Sequence, residues 1–233
     1  PYKTSISNSK MFGDRTKVES GLKWTEYGRL TASKLRAPLS ITYAEIATQN
    51  HFILDRGGKV FNRSAPVIKL PKDATEDDHL RLLGTLNSST ACFWLKQNCF
   101  NKGEGGGARV DAGYAAMGSE LWKNTYQFNG TTLKDFPLPS TAPLTRGRRL
   151  DSLSQLLTSE EPATAIHAYG ATQKTIDVAR LDHGRIRAQM IAEQEELDWE
   201  VYRNYGLIDD DLAVPVGEAP GIILGERTFE IVL

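Results

Sequence analysis

The sequence predicts a mixed α+β fold, with short strands and helices first and a long helix in the last third. Three observations carry this expectation. Residues 40–70 are β-rich and broken by a Gly-Gly turn. Residues 75–100 set leucines at helical spacing behind a capping signature. From Thr172 onward, apolar residues recur at steps of three, four and seven.

Composition is that of a globular protein. The 233 residues carry 28 Lys and Arg against 29 Asp and Glu, with 40% hydrophobic and 9% aromatic residues, which argues against wholesale disorder. The length suits one large domain, or one domain plus an appendage. No apolar run approaches the ~18 residues of a membrane span, and PYKTSISNSK is no signal peptide. A start at Pro1 instead of Met reads as a piece of a longer protein. Cys92 and Cys99 fit neither a zinc module nor a disulfide framework. Buried free thiols in a reducing cytoplasm are expected, which makes the sequons at Asn62, Asn87 and Asn129 chance matches.

The elements follow in order. Residues 40–47 and His51–Asp55 read as strands, and Arg56-Gly57-Gly58-Lys59 as a tight turn leading to Val60-Phe61 in a hairpin. Pro66–Leu70 reads as a further strand. Thr75-Glu-Asp-Asp78 resembles a capping box opening a helix through Leu80, Leu83 and Leu86. A second helix starts at Ser88 or Ser89 and carries Phe93, Trp94, Leu95 and Phe100. The glycine-rich loop Asn101–Arg109 follows, then an aromatic stretch from Trp122 to Phe128 and the string Phe136-Pro-Leu-Pro139. Residues 140–171 read as a connection with a short helix near Arg148–Leu157. The long helix from Thr172 carries Ile176, Ala179, His183, Ile186, Met190, Leu197 and Val201 on one seam, with Gly206 as its stop. Ile222–Leu224 and Thr228–Leu233 look β-like.

Charge is divided along the chain. Residues 1–149 hold 22 basic and 13 acidic side chains, a net +9, whereas residues 150–233 hold 6 and 16, a net -10. Such opposed halves suggest that the first meets a polyanion and the second is a solvated or protein-facing appendage.

Motifs for catalysis are missing. Gly103-x-Gly105-x-x-Ala108 matches a relaxed dinucleotide pattern but follows a helix instead of a strand, so that reading fails. A basic glycine loop closing on phosphates fits better. His51, His79, His167 and His183 share no metal-ligand spacing. The chain has no Gly-x-Ser-x-Gly elbow, no Walker loop and no His-Glu-x-x-His. Asp77-Asp78, Glu160-Glu161 and Asp209–Asp211 sit where caps and solvated tails are expected.

Two strings carry a resemblance: Leu82-Leu-Gly-Thr-Leu-Asn-Ser-Ser-Thr-Ala-Cys-Phe-Trp-Leu-Lys-Gln97 and His51–Leu70. With Phe136–Pro139 and Met190–Leu207, they resemble the C-terminal region of adenine-specific DNA methyltransferases of restriction–modification and BREX phage-exclusion systems. The resemblance covers about residues 22–207. It implies a target-recognition domain like those of type I specificity subunits, followed by a helical spacer. The family's catalytic half carries an Asn/Asp-Pro-Pro-aromatic motif, and this chain has no Pro-Pro pair.

The sequence is therefore read as a double-stranded DNA recognition fragment. It comprises an α+β target-recognition globule over 1–145 and a helical spacer with a tail over 146–233. Candidate DNA contacts are Arg56, Lys59, Arg63, Lys96, Asn101, Lys102 and Arg109, with Asn101 as a base reader. No catalytic residue, metal or cofactor is expected in the fragment; S-adenosylmethionine belongs to the parent enzyme, whose catalytic domain is the partner in cis. The alternative is an interaction module that binds other phage-defence proteins and never touches DNA. No membrane contact is expected, and the location is cytoplasmic.

Overall fold

The structure is a computed structural model and describes residues 2–11, 13–28, 37–102, 124–228 and 231. Two compact units divide at residue 38. The first holds helix α1 (Tyr2–Ser7) and a Lys10–Thr16 bridge. Lys17 Nζ closes its last turn by donating to the Glu26 carbonyl at 2.8 Å.

The second unit begins with strand β1 (Ser40–Tyr43), β2 (Ile46–Ala47), β3 (Phe52–Asp55) and β4 (Val67–Ile68). β1 is central in an antiparallel sheet ordered β3-β1-β4. The turn expected at Gly57-Gly58 forms, with φ of 89° and 80°, but the hairpin does not. Val60 and Phe61 pair with nothing in a sheet, and Val60 is 73% exposed. β3 returns to β1 instead, because Ile41, Tyr43, Phe52 and Leu54 together supply the apolar face that the helices cover.

Helices α2 (Glu76–Leu86) and α3 (Ser89–Asn98) cover that face. The capping box is present: Thr75 accepts from the Asp78 N–H, and the Asp78 carboxylate accepts from the Thr75 N–H. Between the helices, each residue of Leu86-Asn87-Ser88 has its own task. Leu86 is core, at 2% exposure. Asn87 exchanges two hydrogen bonds with the Phe52 backbone, at 2.8 and 2.9 Å, in place of another strand. Ser88 caps α3 by accepting from the Ala91 N–H. Cys92 and Cys99 are buried free thiols, and burial pushes both pKa values up, away from reactivity.

Strands β5 (Phe100–Asn101) and β6 (Tyr126–Gln127) join β2 in a second antiparallel sheet ordered β2-β6-β5. Helix α4 (Gly130–Lys134) follows, N-capped by Asn129. Phe136 is buried edge-on against Trp94 at 5.4 Å, and the Tyr205 hydroxyl donates to the Pro137 carbonyl at 2.6 Å. That contact ties the Phe-Pro-Leu-Pro string to the end of the long helix.

Residues 140–171 are more helical than the sequence suggests. Helix α5 spans Leu144–Ser159 and α6 spans Pro162–Tyr169. The arginines near the start of α5 weakened the apolar pattern, yet Arg146 and Arg148 help to hold that helix through Glu193 and Asp77. Gly147 of α5 crosses Gly84 of α2 so closely that a Cβ on Gly147 would lie 2.6 Å from the Leu80 carbonyl oxygen. Helix α7 (Gln173–Asn204) is the expected long helix, capped by Thr172 and ended before Gly206 at φ 67°. Its 32 residues reach about 48 Å. Ala179, Ile186, Leu197 and Val201 are buried on the predicted seam, against α3, α5 and α6. Ile222–Leu224 forms no strand; the Ile222 N–H bonds the Ala188 carbonyl of α7.

Two buried ionic centres bind α7 to the rest. Arg146 of α5, 2% exposed, donates to Glu193 at 2.7 Å, to Glu200 at 3.4 Å and to the Val214 carbonyl at 2.6 Å. Glu193, fully buried, also accepts the Gly217 N–H at 2.8 Å. Asp198 accepts the Ser89 N–H at 2.7 Å and pairs with Arg227.

Arg146→Ala would leave the buried Glu193 with only the Gly217 N–H and the more distant Arg149, at 3.8 Å. The expected cost is about 3–5 kcal/mol in urea unfolding; a loss under about 1 kcal/mol, as for an exposed pair, would contradict this role. Asp198 gives a pH test. Burial outweighs its pairing with Arg227 and raises its pKa from 3.8 to about 6. The native chain therefore takes up a proton that the unfolded chain does not, between those two values. The associated stability is complete below the unfolded pKa and is lost as pH rises through about 6. Asp198→Asn removes the titration, so the stability of wild type relative to the variant should fall by on the order of 2 kcal/mol from pH 4 to 7. A difference independent of pH would contradict the assignment.

Candidate nucleic-acid interface

The second sheet collects most of the predicted contacts. Register places Ile46 and Phe100 on either side of Gln127, and Ala47 and Asn101 on either side of Tyr126. Adjacent partners share a face, so the sheet has one row of Ile46, Gln127 and Phe100 and another of Ala47, Tyr126 and Asn101. The second row faces the core through Tyr126, stacked on Phe128 at 6.3 Å. The first row is open, with Ile46 53% and Phe100 74% exposed.

Cations and amides surround this sheet. Lys96, in the last turn of α3, lies over the Tyr126 ring at 5.6 Å. Asn101 donates to the Asn124 side chain at 2.7 Å. Lys102 continues β5 with its N–H on the Thr125 carbonyl at 2.6 Å. Arg63, its side chain 91% exposed, stands 3.9 Å from Glu45. Glu45 is bonded twice to the end of β6. Its carbonyl accepts the Phe128 N–H at 2.7 Å, and its carboxylate accepts from Gln127 Nε2 at 2.7 Å. Lys59 is exposed beyond the Gly57-Gly58 turn.

Arg56 lies elsewhere. Its guanidinium bridges Asp151 of α5 and Glu76 of α2, both at 2.6 Å, and the Asp151 bond chiefly holds its pKa above the ordinary value. With Arg148 paired to Asp77, it clamps the start of α2 onto α5. Arg109 and the glycine pattern from Gly103 lie outside the described residues. The sequence reading missed Glu45, Gln127 and the outward position of Phe100. These are set by pairings between residues distant in sequence, Glu45 and Phe100 each with Gln127, for which two-residue strands leave no local signal.

Among the described residues, no group of three or more His, Cys, Asp or Glu side chains could hold a metal ion. His79 is buried in a bond to the Thr75 carbonyl at 2.7 Å. A cavity of about 250 Å³ lies between β3, α5 and α7, lined by His51, Phe52, Cys92, Asp151, Met190 and Gln194 among others. That volume falls below the ~300–1,000 Å³ usual for small-molecule sites. No helix among the described residues is long and apolar enough to cross a membrane.

Comparison with known proteins places this geometry in context. Residues 190–233, the second half of α7 and the tail, match a family described as a domain of unknown function (DUF7008). The whole chain is 42% identical over 237 residues to the adenine-specific methyltransferase PglX of Streptomyces coelicolor. The chain spans 19% of that protein's length, so it is related to one part of a larger adenine-specific methyltransferase.

Proposed function

We propose that this chain is the duplex-DNA recognition part of a larger adenine-specific DNA methyltransferase of phage-exclusion type. In this reading, methyl transfer from S-adenosylmethionine belongs to a catalytic domain in the same polypeptide. The observation that carries it is the open row of Ile46, Gln127 and Phe100 with Arg63 and Lys102 beside it, in a chain similar throughout to part of an adenine-specific methyltransferase. Cations at the rim position a duplex by its phosphates, and polar groups on the sheet meet base edges. Arg56 is left out of this set, because its donors are committed to Asp151 and Glu76.

A labelled duplex titrated against the chain at several salt concentrations tests the reading. Log affinity should fall with log salt at a slope of about -0.9 for each phosphate neutralised. Replacing Lys59, Arg63 and Lys102 with Ala should flatten the slope by roughly one per residue that contacts a phosphate. Affinity indifferent to salt would contradict the reading and favour a module that binds other proteins.

A further inference from the structure

We infer that Gln127 reads an A·T base pair in the major groove, flanked by Phe100 and Ile46 as apolar contacts. The inference rests on the DNA-recognition reading and deepens it. Its first support is placement. Gln127 is in the middle of the open row, between two exposed apolar side chains. An apolar pair on the outer face of a sheet gains nothing from the fold, since neither side chain is buried there.

The second support is the orientation of the amide. Glu45 Oε1 lies 2.7 Å from Gln127 Nε2. A carboxylate only accepts, so the amide must turn its NH₂ towards Glu45. Reversal would set the Gln127 carbonyl against the carboxylate. One N–H and the carbonyl oxygen remain for an outside partner, in a fixed arrangement. A donor beside an acceptor is the set that matches adenine, which offers an N6 donor and the N7 acceptor in the major groove. The same pair carries the thymine methyl, which apolar side chains contact. Phe100 and Ile46 supply such surfaces on both sides. Arg63, near the far oxygen of Glu45 at 3.9 Å, keeps that carboxylate from facing the phosphates uncompensated.

The roles divide accordingly. Gln127 is the specificity-determining residue and Glu45 positions it. Arg63 and Lys102, beside that row, contribute affinity without sequence preference, because they meet phosphates.

The test is selection of duplexes from a randomised pool by the purified chain and by Gln127→Met, with the fold of each checked by thermal melting. The wild-type motif should contain an A·T position that relaxes in the variant. Affinity for the selected duplex should fall roughly tenfold, with the salt slope unchanged. Replacing that adenine with 7-deazaadenine, which lacks N7, should weaken the wild type similarly and leave the variant unaffected. Glu45→Gln, whose amide accepts either orientation of Gln127, should lose part of the discrimination at the same salt slope. An identical motif in Gln127→Met would overturn the inference and leave the DNA reading standing. Should that variant fail to fold, the wild type alone decides, since full tolerance of 7-deazaadenine at every selected adenine also overturns it. Failure of the wild-type chain to enrich any duplex would instead overturn the DNA-recognition reading itself.

Discussion

Burying a guanidinium and a carboxylate together costs several kcal/mol per ion before any attraction is counted, and the cost is offset only when every donor and acceptor is used. Arg146 and Glu193 come close to that condition. Arg146 spends donors on Glu193, Glu200 and the Val214 carbonyl, while Glu193 also receives the Gly217 N–H. One ion pair thus fixes α5, α7 and the tail in a single arrangement. The remaining order is transmitted through contacts. The Gly84–Gly147 crossing sets α2 against α5. Asn87 then fixes the end of α2 to β3, and Ser88 starts α3, which delivers Lys96 and Phe100 to the second sheet.

The distribution of charge looks different once the ion pairs are placed. Residues 1–149 have a net charge of +9 by count. Arg56, Arg146 and Arg148 contribute to that count, but carboxylates of α2, α5 and α7 neutralise them within the fold. Arg63 and Lys102 stand beside the open sheet, and Lys59, Lys69, Lys72 and Lys134 are further exposed cations of this unit. A polyanion would meet a small cationic rim around an apolar and amide centre. That division matches the separation between contacts that position DNA and contacts that read it.

Local chemistry was legible in the sequence, and distant pairing was not. Thr75, Ser88 and Thr172 announced their helices because a cap needs only a side chain and the next turn. The seam of α7 was equally plain, being a repeat over many turns. The hairpin after Gly57-Gly58 failed because a turn residue reports backbone geometry and says nothing of which strand pairs with which. Arg56 looked like a free cation because its partner Asp151 is 95 residues away. The second sheet was invisible for the same reason: each of its strands is two residues long, and Gln127 has meaning only beside Glu45 and Phe100.

The central claim is that duplex DNA meets the open face of the second sheet, and photocrosslinking tests it most directly. Duplexes with 5-iododeoxyuridine substituted for thymine would be irradiated with the chain, and the modified peptides identified by mass spectrometry. The account predicts crosslinks in the peptides that carry Ile46, Phe100 and Gln127, competed away by unlabelled duplex. Crosslinks confined to α5, α6 and α7, with those three peptides unmodified, would contradict it.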